Sequence, residues 1–192
     1  MRFPEVTIAL PSWTEEFLAD MGEMFPSVED RMGLVIELSR QNIQRQTGGP
    51  FAAAIFDHDG RLIAPGLNMV VPAHCSILHA EIVAVAVAQS VLGRYDLGDG
   101  GRLQFDLVAS TEPCAMCFGA VPWSGVSRLI CGARDEDARQ VGFDEGPKLS
   151  NWVAQLSSRG IEVLRDVLRN EAVAVLHDYA ASGGPIYNSG PH

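Results

Sequence analysis

The sequence predicts an α/β fold, a three-layer α/β/α sandwich with a central mixed five-stranded sheet. Segments with the composition of buried strands alternate along the chain with apolar helical segments, which favours a sheet covered by helices on both faces. The chain has 192 residues, of which 47% are hydrophobic, enough for one continuous core. Because no internal repeat, low-complexity tract or linker divides it, we expect a single folded domain.

Residues 1–26 differ from the rest of the chain because prolines interrupt them and only a short helical pattern, at 14–20, is present. We expect this segment to form an arm that packs on the domain or on a second subunit. Pro4, Glu5 and Pro11 break its apolar run, so a secretory signal sequence is not predicted.

The first long element is an amphipathic helix predicted at 28–46. Ser27 is a favourable N-cap, Asp30 occupies the capping-box position, and the apolar residues that follow share one helical face. We expect the helix to stop before 48–50, where the sequence is Gly-Gly-Pro.

Five segments have the composition of strands. They lie at 51–56, 61–68, 104–110, 127–133 and 161–167. The first two flank the turn sequence DHDG and are therefore predicted to pair as a hairpin.

Four further helices are predicted between and after these strands. They lie at 79–93, 114–122, 151–160 and 168–180. The first of them is apolar on nearly every side and ends at a glycine, as expected for a helix buried against a sheet. The second is predicted to be cut short by Pro122, because proline lacks the N–H that continues a helix.

The charge and the cysteine content restrict the classes of function. The formal net charge is −10, and the 14 basic residues are scattered rather than clustered. Proteins that grip nucleic acids need several Lys or Arg contacts with phosphates, so the charge favours a small neutral substrate over DNA or RNA. The longest apolar run, 82–88, is too short to cross a bilayer, so no membrane partner is predicted. Four cysteines are few for a secreted scaffold of this length, and we expect a cytoplasmic protein.

The segment TEPCAMC, at 111–117, places Cys114 and Cys117 where a strand leads into a helix. The free N–H groups and the dipole of a helix N-terminus favour thiolate over thiol, which makes both cysteines good ligands for Zn²⁺. A redox pair of the thioredoxin type also lies at a helix start, and a plain core pair is a third alternative. A further ligand elsewhere in the chain is needed to choose among them.

His79 can supply that ligand at the start of the other apolar helix. With His79, Cys114 and Cys117 as ligands, a tetrahedral zinc keeps its fourth position for water, which is the arrangement of a catalytic rather than a structural site. Glu81 would then act as the base. Because residues two apart on a regular helix point in nearly opposite directions, His79 must occupy the first, half-helical position of its helix.

Three motifs together resemble the cytidine-deaminase superfamily, over about residues 28–180. They are HAEI at 79–82, TEPCAMCFGAV at 111–121 and CGARD at 131–135. The combination of HxE with PCxxC is a signature of zinc deaminases. The resemblance implies a cytidine deaminase-like fold and a zinc-dependent deaminase domain at 27–181, with Zn²⁺ as its cofactor.

The chain resembles bacterial guanine deaminases in particular, through GPFA at 49–52, Asn68 and GFDEGP at 142–147. This resemblance implies the hydrolytic deamination of a free purine base, guanine, to xanthine and ammonia. A tRNA-adenosine deaminase is an alternative, although we would expect a more basic C-terminal helix than 168–184, which has one Arg. An aminotriazine or another nucleobase is an alternative substrate, and a non-catalytic zinc-binding module is the alternative from a different class.

The resemblance also implies roles for the other candidate site residues. Glu81 would move a proton from water to a ring nitrogen, and the backbone N–H of Cys114 would support the developing oxyanion. Glu145 is preferred as a second proton shuttle, with the neighbouring Asp144 in support. The expected substrate contacts come from Phe51, Asn68, Ala80, Asp144 and Tyr187. For Phe51 and Asn68, ordinary core and turn roles are the alternatives.

Residues 182–192 form a glycine-rich tail that is expected to exchange between the subunits of a homodimer. Gly183 and Gly184 would act as a hinge, and Tyr187 would cover the partner's site; a disordered terminus is the alternative. Cys75 is interpreted as a small buried residue, since a fourth protein ligand would close the zinc site.

Overall fold

The computed structural model describes residues 2–188, and it confirms the α/β fold. Its helices are α1 (Trp13–Met21), α2 (Val28–Gln44), α3 (Ala80–Leu92), α4 (Ala115–Ser124), α5 (Asp135–Gln140), α6 (Trp152–Ser157) and α7 (Arg169–Ala181). Its strands are β1 (Ala52–Asp57), β2 (Leu62–Leu67), β3 (Phe105–Thr111), β4 (Arg128–Ala133) and β5 (Glu162–Leu164). Within these residues no helix has both the length and the apolar composition needed to cross a bilayer.

The strands form one mixed sheet in the order β2, β1, β3, β4, β5. β1 is antiparallel to β2, as the predicted hairpin requires, and also to β3, whereas β3, β4 and β5 run parallel to one another. Across the central strands Ala54 lies opposite Val108, which lies opposite Ile130. Because β1 runs against β3, the start of β1 and the end of β3 meet at one edge of the sheet.

Helices cover both faces of the sheet because apolar side chains occupy both faces of its central strands. Along β1, Ala52, Ala54 and Phe56 pack with α2 and α7, whereas Ala53 and Ile55 pack with α3 on the opposite face. Residues of α4 and α6 complete that second layer. The predicted three-layer arrangement is therefore confirmed.

The arm and the first long helix pack as one unit on the sheet. The Trp13 side chain of α1 is buried, and its Nε1 donates to the Thr47 hydroxyl over 3.0 Å. Ser27 and Asp30 form the expected capping box at the start of α2. In the single chain α1 packs on its own domain, whereas residues 2–9 are exposed, and contact of the arm with a second subunit stays a prediction.

Several details of the predicted elements are wrong. α4 continues through Pro122 to Ser124 instead of stopping at the proline. Pro122 lies in the last turn, where its missing N–H costs one hydrogen bond, and Gly125, three residues after the proline and at a φ of 80°, ends the helix. The helix α5 was not expected from its sequence, DEDARQ, which has no apolar periodicity. The last strand is shorter than predicted, and α2 and α6 end earlier.

A buried ion cluster ties α2 to the sheet at the edge opposite the end of β3. The carboxylate of Asp106, at the second position of β3, accepts a hydrogen bond from the guanidinium of Arg31 and two from that of Arg128, the latter over 2.9 and 2.5 Å. The side chains of Arg31 and Asp106 are only 4% and 5% exposed. Removing the carboxylate charge would leave Arg31 buried without a counter-charge, and such charges are costly to bury alone.

We therefore expect Asp106→Asn to lower the free energy of unfolding by about 3 to 5 kcal/mol. Urea denaturation followed by circular dichroism measures this change. The matched control is Asp99→Asn, which removes the same charge from an exposed pair with Arg102 and should cost no more than about 1 kcal/mol. Equal costs for the two variants would contradict a structural role for the Asp106 cluster.

Candidate active site

Two helix starts bring His79, Cys114 and Cys117 together at the edge where β3 ends. His79 is the N-cap of α3, with extended dihedrals of φ −70° and ψ 155°, which is the half-helical position that the sequence requires. Cys114 is the N-cap of α4, and Cys117 lies in the first turn of that helix. His79 Nδ1 is 3.5 Å from Cys114 Sγ, and the three possible ligand atoms all lie within 4.8 Å of one another.

The chemistry of these three donors fits zinc. One imidazole nitrogen and two cysteine sulfurs form a ligand set that Zn²⁺ prefers, and their separations suit bonds of about 2.0 to 2.3 Å. Among the residues that the structure describes, no fourth His, Cys, Asp or Glu belongs to this group. Cys75, which was expected to be buried, is half-buried and packs against the margin of the core beside α2 and α7. The group therefore leaves room for a water molecule or a substrate atom.

The charges of the two sulfurs are coupled. The hydrogen bond with Cys117 lowers the pKa of Cys114 to about 4, with a further contribution from His79. The same hydrogen bond and burial raise the pKa of Cys117. Although burial lowers the pKa of His79, its contact with Cys114 and the nearby charge of Glu81 raise it in total. One proton is thus shared between the two sulfurs. A bound divalent cation would displace it, because thiolates rather than thiols are metal ligands.

A small cavity opens beside the three donors. Of the predicted residues, its lining includes Phe51, Asn68, His79, Glu81, Cys114 and Glu145. The remaining lining residues were not predicted and are Ala52, Ala109, Ser110, Thr111 and Glu112.

Two carboxyl groups with altered acidity face this cavity. Burial, reinforced by the charge of Cys114, raises the pKa of Glu81 to about 7. Burial and the charges of Cys114 and Glu81 raise the pKa of Glu145 to about 8. Groups that titrate near neutral pH can both accept and release protons there, so both carboxyls are suited to general acid and base chemistry.

The two adjacent acids Asp144 and Glu145 lie in different environments. Glu145 is 6% exposed and lines the cavity. Asp144 is not part of the lining: its carboxylate accepts from the Gly146 N–H over 2.9 Å and lies 3.8 Å from Arg139 near the surface. The geometry supports the preference for Glu145 and offers no substrate contact for Asp144.

The end of the described chain lies on the site of the same molecule. The amide of Asn68 donates to the hydroxyl of Tyr187 over 2.6 Å, and the Tyr187 ring is 6.3 Å from that of His79. The Phe51 ring packs edge-on against Phe143, with 4.8 Å between ring centroids. Ala80 is buried outside the cavity lining. Exchange of the tail between subunits stays a prediction, and residues 189–192 of that tail lie outside the described residues.

Comparison with known proteins identifies the family. A family model described as the cytidine and deoxycytidylate deaminase zinc-binding region matches residues 27–133, which contain all three metal-ligand candidates. The chain belongs to the cytidine and deoxycytidylate deaminase family. It is therefore an enzyme of the zinc-type hydrolytic deaminases, and the predicted superfamily is confirmed.

Relatives of this deaminase include guanine deaminases. The chain is 37% identical to the guanine deaminase of Bacillus subtilis over 110 residues, which cover 57% of this chain and 67% of the relative. The solved structure of a guanine deaminase from Nitrosomonas europaea is 47% identical, with a TM-score of 0.86 over 92% of this chain and 97% of that one. By contrast, the tRNA-specific adenosine deaminase of Buchnera aphidicola subsp. Schizaphis graminum is 26% identical over 80% of this chain and 95% of the relative.

One residue that positions the deaminase's cavity lining was not predicted from the sequence. Asn42, in the last turn of α2, is fully buried, and its amide donates to the carbonyls of Gly49 and Asn68 over 2.9 and 3.1 Å. It thereby fixes the backbone on which Phe51 and Asn68 reach the cavity. A polar residue buried inside an amphipathic helix is the signal that could have revealed this role, because such groups need partners.

Proposed function

We propose that this deaminase converts guanine and water to xanthine and ammonia. The likeness to a guanine deaminase at 47% identity over 92% of the chain carries the proposal. A related solved structure, the protein named NE0047 in complex with 2,6-diaminopurine, is 49% identical, with a TM-score of 0.87 over 95% of this chain and 96% of that one. The small cavity with two carboxyls that titrate near neutral pH is in keeping with a neutral purine base as substrate.

We assign the proton transfers to Glu81 and Glu145. When held by His79, Cys114 and Cys117, zinc would supply an acidified water by lowering its pKa toward about 7. Glu81 takes a proton from the attacking water and delivers it to a ring nitrogen, while the water oxygen bonds to C2 of guanine. The bond between C2 and the exocyclic nitrogen then breaks. Glu145 supplies the proton with which the amine leaves as ammonia, and it regains the proton that the C2 hydroxyl loses when that oxygen becomes the carbonyl of xanthine.

The residues around the ring have binding roles in this proposal. The side-chain amide of Asn68 would bond the polar edge of the purine, and the Phe51 ring would contact its face. The N–H of Cys114 would bond the developing oxyanion. Tyr187 would exclude water from above the ring, because its hydroxyl already meets Asn68 at the cavity.

The assembly and location are parts of the same proposal. The deaminase domain would comprise residues 27–181, with the arm at 1–26 and the tail at 182–192. We propose a homodimer in which the tails are exchanged, so that the position which Tyr187 occupies beside Asn68 in the single chain would be filled by the partner subunit's Tyr187. A cytoplasmic location would keep Cys114 and Cys117 reduced and available to the metal.

The proposed substrate can be tested by measuring ammonia release from a panel of amines. The panel contains guanine, adenine, cytosine, their nucleosides, aminotriazines and a tRNA anticodon stem-loop. We expect guanine to give a kcat/KM at least about 100-fold above that of adenine, because a site built for one pattern of donors and acceptors rejects another. Turnover of the stem-loop but of no free base would overturn the proposal, and preference for an aminotriazine would replace guanine as the substrate.

A further inference from the structure

A buried cation that plays no part in the proposed proton transfers lies directly behind the candidate active site. Lys148 follows Glu145 by three residues, and its side chain is 6% exposed. Its ammonium group donates to the carbonyl of Pro113 over 3.0 Å and lies 2.9 Å from Asp135 and 3.6 Å from Glu112. Lysine is almost never this buried unless its charge is paired.

These contacts join two segments that carry different parts of the site. Pro113 immediately precedes the metal-ligand candidate Cys114, and Lys148 belongs to the loop that carries Glu145. The same two segments meet through their backbones, because the N–H of Ala115 donates to the carbonyl of Glu145 over 2.9 Å. Ala115 opens α4, so its N–H has no partner within the helix. Lys148 therefore holds the C-terminal end of the loop at 144–148, whereas the hydrogen bond from Ala115 holds the loop at Glu145.

The approach of the loop to α4 leaves little room for adjustment. Gly146 has a φ of 69°, and a side-chain carbon added there would lie 3.1 Å from the Cβ of Ala115. Its carbonyl accepts a hydrogen bond from Arg139 over 2.8 Å. Because the backbone is already in close contact, a shift of the loop would move Glu145 relative to the cavity instead of being absorbed locally.

We propose that Lys148 is a positioning residue that holds Glu145 against the start of α4 and so at its place in the cavity. Lys148 does not touch the cavity and takes no part in proton transfer; it acts through the loop at 144–148. The inference deepens the proposed function, since it rests on Glu145 acting in that site.

Arg165 provides a matched control within the same cluster. Its guanidinium pairs with Glu112 over 2.5 Å and lies 5.7 Å from the ring of Trp152. Lys148 likewise approaches Glu112 and lies 4.9 Å from that ring. Arg165, however, directly follows β5. Its hydrogen bond goes to Glu112, and it makes none to Pro113 or to the loop that carries Glu145. Losing either cation costs the cluster one charge, but only the loss of Lys148 removes a contact between the loop and Pro113.

The experiment compares Lys148→Met with Arg165→Met in three measurements on the zinc-loaded protein. We expect Lys148→Met to lower kcat for ammonia release from guanine roughly 10- to 100-fold with KM nearly unchanged, because small misplacements of a catalytic group have effects of this size. The Ala115 amide should exchange with deuterium roughly tenfold faster, since it loses its partner on the loop. Zinc content should equal that of the unmodified protein. Arg165→Met should leave all three measurements at the unmodified values.

A double-mutant cycle tests whether Lys148 acts through Glu145. In a Glu145→Gln background, Lys148→Met should lower kcat by no more than about twofold, because residues that act as one unit are not additive. Lys148→Arg should recover part of the lost rate, since it restores the charge and the donors.

Three results would overturn the inference. They are equal Ala115 exchange in Lys148→Met and Arg165→Met, loss of zinc from Lys148→Met, and a full effect of Lys148→Met in the Glu145→Gln background. Loss of zinc would mean that Lys148 acts on the segment that carries Cys114 instead of on Glu145.

If the unmodified protein deaminates no base on the panel, the proposed function fails. The deuterium exchange of the Ala115 amide alone then decides whether Lys148 holds the loop.

Discussion

Replacing Glu81 with glutamine is expected to lower kcat for guanine by roughly 10²- to 10⁴-fold while zinc stays bound. Glutamine keeps the shape of the side chain at the cavity wall, but its amide cannot take a proton from water at neutral pH. None of the three metal donors is altered by the change. The measurements are the initial rate of ammonia release at saturating guanine and the zinc content of the purified protein by mass spectrometry.

The matched control for this prediction is Glu171→Gln, the same chemical change on an exposed residue of α7. It should leave kcat within about twofold of the unmodified value. An unchanged rate for Glu81→Gln would exclude Glu81 as the proton carrier. Loss of zinc from Glu81→Gln, with Glu171→Gln fully loaded, would instead show that Glu81 maintains the metal site, which also contradicts the proposed role.

Much of the fold could be predicted because the main elements carry local signals. The DHDG turn indicates the hairpin of β1 and β2, and the nearly uniform apolar composition of α3 indicates a helix buried against a sheet. By contrast, α5 is stabilised by tertiary contacts, because Asp137 is bonded by the Arg169 guanidinium over 2.9 and 2.8 Å. A partner 32 residues away leaves no periodic pattern in the helix itself.

The site could be predicted only where its chemistry demands particular residue types. One His and two Cys with a nearby Glu, each at the start of a helix, form a combination typical of catalytic zinc, so spacing and residue type were enough to select three residues that the structure brings together. The lining contributed by Ser110 and Thr111 could not be predicted, because the last residues of a buried strand resemble any other core residues in sequence. The choice between Asp144 and Glu145 depends on the direction of two adjacent side chains, and only the packed loop determines it.

Replacing Cys114 with serine should abolish both zinc retention and activity. Serine supplies no thiolate at neutral pH, and the change removes one of three donors as well as the sulfur that accepts the Cys117 N–H at the start of α4. Losing an outer partner of a metal ligand already costs roughly 10- to 100-fold in affinity, and losing a ligand itself should cost more. We expect zinc content after dialysis to fall below about one tenth of that of the unmodified protein.

Cys75→Ser is the control that separates a specific ligand from a general effect of losing a thiol. Cys75 is half-buried and lies outside the group of donors, so its replacement should leave zinc content and kcat unchanged. The comparison also decides the nature of the pair at Cys114 and Cys117. A redox pair would need no metal, so activity that survives dialysis against a chelator but is lost in Cys114→Ser would favour thiol chemistry. In the unmodified protein and in Cys75→Ser, activity should disappear on chelation and return with added zinc. If added zinc does not restore activity to Cys114→Ser, the sulfur of Cys114 is required as a metal ligand.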